Sequence, residues 1–139
     1  MIRVVLDTNI VISAALSSGG LPEAVFNLAL NRVVRLCVSE AILAEYGEIL
    51  GRPRLGIPKE KVETILGHVR EAALWVIPTQ TIAACSDPDD NIFLECAVAA
   101  QAQYLITGNQ RHFPEAWGEL RIVTPREFLE VFTEAERGQ

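Results

Sequence analysis

The sequence predicts a three-layer α/β/α fold built on a mainly parallel sheet. Two observations predict it: apolar β-branched runs alternate with helical patterns, and those runs are too short and too continuously apolar for a sheet with one wet face. A third bounds it, because 139 residues, 50% hydrophobic and 22% charged, suffice for one core over residues 1–139 and leave no room for a second.

Taken in order, Ile2 to Leu6 is a buried-type strand that ends at Asp7. Asn9 to Leu16 and Leu21 to Leu30 read as helices split by Ser17-Ser18-Gly19-Gly20, with Pro22 in a first turn where its missing N–H costs nothing. Val33 to Val38 is a second strand, and Ser39 can cap a helix through Leu50 that Gly51 and Pro53 close. Lys59 to Ala73 carries Val62, Ile65, Leu66, Val69 and Ala72 at helical spacing, and Leu74 to Ile77 before Pro78 is a short edge strand. After the loop Cys85-Ser86-Asp87-Pro88-Asp89-Asp90 come an Ala-rich helix from Ile92 to Ala100 and the strand Tyr104 to Ile106, which stops at Thr107-Gly108-Asn109. Arg121 to Val123 and a helix from Pro125 to Phe132 complete the pattern.

Composition narrows the function. No apolar run approaches the roughly 20 residues that cross a bilayer, and Met1 leads into a strand with no signal-peptide layout, so a cytoplasmic protein without membrane association is expected. Cys37, Cys85 and Cys96 form no close pair and suit reduced, packed thiols. Twelve basic against eighteen acidic side chains give a net charge of −6, so the global field attracts no polyanion. A nucleic-acid partner would need local help.

The informative letter is aspartate. Only Asp7, Asp87, Asp89 and Asp90 occur, the remaining acids being the better helix former, glutamate. Asp7 ends the first strand, and three aspartates crowd one loop. In open α/β sheets ligands bind beyond the carboxyl ends of strands, where Asp7 and the Thr107-Gly108-Asn109 turn both lie. Helix capping accounts for one acid per helix, whereas three in five residues repel one another unless solvent, a proton or a cation screens them. On the helix after Ser39, Ile42, Leu43, Tyr46, Ile49 and Leu50 form the apolar stripe. Glu48 lies opposite it, Glu40 faces solvent, and Glu45 sits at its edge, about 100° from the centre. Such an edge residue is as compatible with a solvated glutamate as with a ligand.

Four segments in this order carry a resemblance that covers nearly the whole chain. They are Leu6-Asp7-Thr8-Asn9, Ser39-Glu40-Ala41-Ile42-Leu43-Ala44-Glu45, Asp87-Pro88-Asp89-Asp90-Asn91 with Ala97 seven residues after Asp90, and Leu105-Ile106-Thr107-Gly108-Asn109. On these segments the sequence resembles the PIN-domain ribonucleases, close to the VapC-like toxins of toxin–antitoxin pairs. The resemblance implies about five strands ordered 3-2-1-4-5, with the carboxyl ends of the first and fourth strands side by side. It carries the family's acidic, catalytic positions onto Asp7, Glu45 and Asp90, with Asn109 at a fourth place and facing Asp7. Many PIN proteins have aspartate there, and asparagine keeps a carbonyl oxygen for a hard cation but removes a charge. Asp87 is the candidate to compensate.

The chemistry implied is hydrolysis of RNA phosphodiester bonds with Mg²⁺ or Mn²⁺ held by Asp7, Glu45, Asp90, Asn109 and Asp87. A filled acidic pocket attracts the phosphate that an empty one repels. Thr8, Asn9 and Thr107 are the neighbours expected to meet substrate, and Arg52, Arg54 and Arg111 are the cations expected to flank the backbone. His112 follows in the same turn, with no role as a base expected. A cognate antitoxin and a homodimer are the protein partners the resemblance implies. The alternative is a degenerate PIN domain that binds RNA or a protein without cutting, which Asn109 permits. A phospho-receiver domain needs a lysine near the last strands, where this chain has none. A haloacid-dehalogenase-type phosphatase needs an acid where Asn9 stands.

Overall fold

The computed structural model describes residues 1–138. Its centre is β1 (Arg3–Leu6), which pairs in parallel with β2 (Arg35–Val38) on one side and with β4 (Tyr104–Ile106) on the other. Val4, Val5 and Leu6 are all fully buried. Successive strand side chains point to opposite faces, so both faces of the sheet are covered, which explains why the run is apolar without alternation. β3 (Leu74–Trp75) continues the sheet beyond β2, and β6 (Leu120–Val123) continues it beyond β4, again in parallel.

The expected order 3-2-1-4-5 is therefore present, with one addition. β5 (Ala116–Trp117) pairs antiparallel with β6 at the outer edge, giving β3-β2-β1-β4-β6-β5. Gly118, at φ +61°, turns the chain between them, a conformation most other side chains resist. Helices α1 (Thr8–Leu16), α2 (Leu21–Leu30), α3 (Glu40–Leu50), α4 (Lys59–Ala72), α5 (Asn91–Ala100) and α6 (Pro125–Arg137) complete the fold. α2 and α6 pack on each other, with α2 on β2 and α6 on β4 and β6, while α5 lies across β1, β2 and β4.

Local chemistry sets the boundaries. Ser39 Oγ accepts the Ile42 N–H and starts α3. Thr124 and Glu127 form a reciprocal capping box that starts α6, and this helix extends five residues beyond the expected Phe132. β2 starts two residues later than the apolar run, because Arg32 adopts φ +59° and the N–H groups of Val33 and Val34 turn back to Leu28 O. β3 stops at Trp75, two residues before the expected Ile77, whose side chain is 87% exposed. No described helix is long and apolar enough to cross a membrane.

Candidate active site

The pairing of Leu6 with Ile106 brings the carboxyl ends of β1 and β4 side by side, and the Asp7 N–H donates to Ile106 O at 3.0 Å. Asp7 is only 6% exposed although it ends a strand. No hydrogen bond of regular capping geometry joins its carboxylate to α1, although the Thr8 and Asn9 N–H groups lie close enough to favour its charge. Instead Oδ2 accepts Thr107 Oγ1 at 2.7 Å and Asn9 Nδ2 at 3.2 Å. Burial raises the pKa of Asp7, opposed by the Thr107 hydrogen bond and by the N–H groups of Thr8 and Asn9.

Glu45 reaches the same place from α3. Tyr46, fully buried, donates its hydroxyl to Leu6 O at 2.5 Å and so ties the middle of α3 to the end of β1. The preceding Glu45 is half-buried, with Oε2 accepting the hydroxyl of Thr8. Burial raises its pKa, and the negative charges of Asp7, Asp89 and Glu48 raise it further. The helical wheel left Glu45 at an edge; the structure turns that edge toward Asp7.

Asp90 comes from the loop before α5. Asp87 Oδ1 accepts the Asp89 N–H at 3.0 Å and caps the single 3-10 turn Pro88–Asp90. Asn91 Oδ1 accepts the N–H groups of Ala84 (3.3 Å) and Cys85 (3.0 Å), and Glu95 Oε2 accepts that of Ile82 (2.9 Å), so the incoming chain is strapped along α5. The Asp90 carboxylate therefore caps nothing. Burial, then Asp7 and Asp87, push its pKa up to about 6, while His112 pulls it down. His112 Nδ1 stands 3.7 Å from Asp90 Oδ2.

The charges of Asp7 and Glu45 thus both reach Asp90, and that of Asp7 reaches Glu45. The other expected residues divide. Thr8 and Thr107 are buried, at 3% and 0% exposure, and their hydroxyls are committed to Glu45 and Asp7, so they support the carboxylates. Thr107, and not Asn109, is the residue that meets Asp7 across the strand ends. Asn109 lies on the exposed turn beyond, its N–H donated to Thr107 Oγ1 at 3.0 Å. Asp87 is exposed and occupied in its loop. Arg52, just beyond the end of α3, pairs with Glu48 at 3.1 Å. Arg54 and Arg111 are exposed.

The basic group nearest the acids is His112, which the sequence reading set aside. Its signal was its place three residues after Asn109, in a turn held against the acidic loop by the Ser86 N–H donating to His112 O at 3.1 Å. The strap made by Asn91 and Glu95 was also missed.

Among the described residues, no three His, Cys, Asp or Glu side chains converge closely enough to enclose an ion by themselves. The donor set nevertheless fits Mg²⁺ or Mn²⁺: it is all oxygen, and its like charges are crowded and partly desolvated. Mg²⁺ keeps several waters and takes one or two carboxylates directly, so a tight cage is not required.

The PIN domain family matches residues 3–111. The chain belongs to the PIN domain family. An uncharacterized protein of Methanocaldococcus jannaschii, MJ1680, is 28% identical over 143 residues, covering 94% of this chain and 92% of its own. The PIN fold of this chain is similar to a chain in the structure of VapBC2 from Rickettsia felis bound to a DNA fragment from their promoter. That match has a TM-score of 0.58 and 17% identity over 88% of this chain and 98% of the other. It is similar also to a chain of FitAB bound to the IR36 DNA fragment, with TM-score 0.57 and 18% identity over 88% and 94%. PIN domains are as a family generally nucleases. The four segments that carried the resemblance lie within the matched region, and so do Asp7, Glu45, Asp90 and Asn109.

Proposed function

We propose that this PIN domain is a divalent-metal-dependent endoribonuclease, with Asp7, Glu45 and Asp90 as its catalytic carboxylates and Mg²⁺ or Mn²⁺ as cofactor. The observation that carries the reading is that Glu45, on α3, accepts the hydroxyl of Thr8, the residue after Asp7 at the end of β1, while Asp90, before α5, feels the charges of both acids. Carboxylates gathered at a strand end, without caps to make, are held at a cost that a cation offsets. Asp7, Glu45 and Asp90 would hold the ion, with Asn109 and Asp87 as outer oxygen donors. Bound there, it would supply an acidified water and neutralise the oxygens of the scissile phosphate, leaving 5′-phosphate and 3′-hydroxyl ends.

The chain's own residues do the positioning. Thr107 and Asn9 fix the Asp7 carboxylate, and Thr8 fixes that of Glu45, so two acids are oriented before substrate arrives. His112 Nδ1, 3.7 Å from Asp90 Oδ2, stands where an imidazole N–H can meet a phosphate oxygen. Asn9 borders the space beside Asp7 where substrate enters, with Thr107 buried behind it, and Arg52, Arg54 and Arg111 supply cations further out.

The likeness to chains of VapBC2 and FitAB supports the further reading that the protein is the toxin of a toxin–antitoxin pair with a cognate antitoxin as partner, and to that reading we join an RNA substrate, a homodimer and action in the cytoplasm.

The test is incubation of labelled single-stranded RNA with Mn²⁺ and with the Asp7→Asn variant beside the wild type. Cleavage by the wild type alone, abolished by chelator, supports the proposal. RNA binding without cleavage favours a degenerate domain, the reading that Asn109 supports. Equal cutting by both proteins refutes the role of Asp7.

A further inference from the structure

Beside the acids runs an open trough of about 530 Å³, walled by Asn9 and Ser13 of α1, Leu21 at the start of α2, Asn109 after β4, and Arg126 at the start of α6. Asn9 is the partition between the two spaces. Its Nδ2 donates to Asp7, and its Oδ1 accepts the Gly108 N–H at 3.3 Å. A strand lying across the carboxylates therefore passes into the trough over one side chain.

Arg126 is the one cation among the residues that line it. It is exposed, and among the described residues its guanidinium makes no hydrogen bond or ion pair. Its neighbour Glu127 does not claim it, because that carboxylate accepts the Thr124 N–H at 3.0 Å and Gln110 Nε2 at 2.7 Å. A cation in the first turn of a helix is opposed by the helix dipole, and Glu130 and Glu134, which border the hollow on the other side of Arg126, offset this only in part. The remaining lining alternates amide and hydroxyl groups with Ile10, Leu21, Pro22 and Pro125, which suits a sugar-phosphate backbone with its ribose faces.

We propose that this trough is the subsite for the single-stranded backbone flanking the cleaved bond, with Arg126 as its phosphate contact. The inference rests on the nuclease reading. It also answers the charge problem of an anionic protein, since the chain's −6 is countered locally where the strand leaves the acids.

The experiment measures binding of a fluorescein-labelled single-stranded RNA by anisotropy in Mg²⁺ over a range of monovalent salt, in an Asp7→Asn background that prevents cleavage. Adding Arg126→Gln should reduce the log–log salt slope by about 0.7, so that the parent's advantage shrinks about 2.6-fold for a fourfold rise in salt. Arg70→Gln, in the last turn of α4, should leave the slope unchanged. Ser13→Glu, an anion placed in the trough, should weaken binding several-fold without altering the melting temperature. An unchanged slope in Arg126→Gln, or an equal loss in Arg70→Gln, overturns the inference while the nuclease reading stands. A wild type that neither binds nor cuts the RNA in Mg²⁺ overturns both.

Discussion

Asp90→Asn is expected to stabilise the divalent-free protein while abolishing cleavage, and the size of the gain follows from what surrounds the carboxylate. The side chain is 17% exposed. It feels Asp7 at the end of β1, Asp87 in its own loop, Glu45 on α3 and His112 in the turn after β4, with the Cys85 thiol close by. Its pKa rises from 3.8 to about 6, first through burial and then through the two aspartates. A folded value above the unfolded one means that the ionised carboxylate opposes folding. The penalty is absent below the unfolded value of 3.8, grows between there and about 6, and is complete above that. The interval corresponds to about 3 kcal/mol at most. Solvent screening of the partly exposed site reduces it to about 1–2 kcal/mol. A chain of this length unfolds with an entropy of roughly 0.3 kcal/mol/K, so in chelator at about pH 7.5 the variant should melt about 3–7 °C above the wild type. At about pH 4 the two should coincide. Mn²⁺ should narrow the difference at the higher pH, because it binds the wild type and stabilises it. Thermal melting at both pH values, with and without the ion, is the assay. Equal melting in chelator at the higher pH, or a gain that persists undiminished at the lower, refutes the account of the acid cluster.

Thr8→Val keeps the volume but removes the hydroxyl that Glu45 accepts, so divalent affinity by calorimetry should fall roughly 10- to 100-fold with the fold intact, and Thr8→Ser should restore it. Tyr46→Phe leaves the buried Leu6 carbonyl without its partner, which should cost about 1–3 kcal/mol in denaturant unfolding. Asn91→Ala releases the N–H groups of Ala84 and Cys85; faster hydrogen exchange at those two amides and lower activity should follow, with melting changed by less than for Tyr46→Phe.

What the sequence made legible has a common physical origin. Strand β1 and Asp7 could be read because a sheet covered on both faces demands continuous apolar residues, and the first polar residue then marks its rim. The start of α3 was legible because a serine cap acts over three residues. What stayed hidden depends on contacts far apart in the chain. Thr107 and Asp7 are 100 positions apart, Thr8 and Glu45 are 37 apart, and a buried threonine gives no local sign of which carboxylate it serves. His112 gains its place beside Asp90 only through the docking of its turn on Ser86. The edge strand β5 was missed because two residues closed by a glycine turn carry too little pattern to distinguish from a loop.

The three acids are not held alike, and the difference bears on how the site works. Residues 6–8 and 45–46 are tied at two points, Leu6 O to the Tyr46 hydroxyl and the Thr8 hydroxyl to Glu45, so Asp7 and Glu45 move as one rigid unit on the core. Asp90 stands on a single 3-10 turn strapped to α5 by Asn91 and Glu95, with most of its loop exposed. It is also the carboxylate for which like charges add most clearly to burial. Asp7 and Glu45 are therefore oriented by hydrogen bonds from the core, whereas Asp90 is positioned by its loop and carries the cost of its like-charged neighbours.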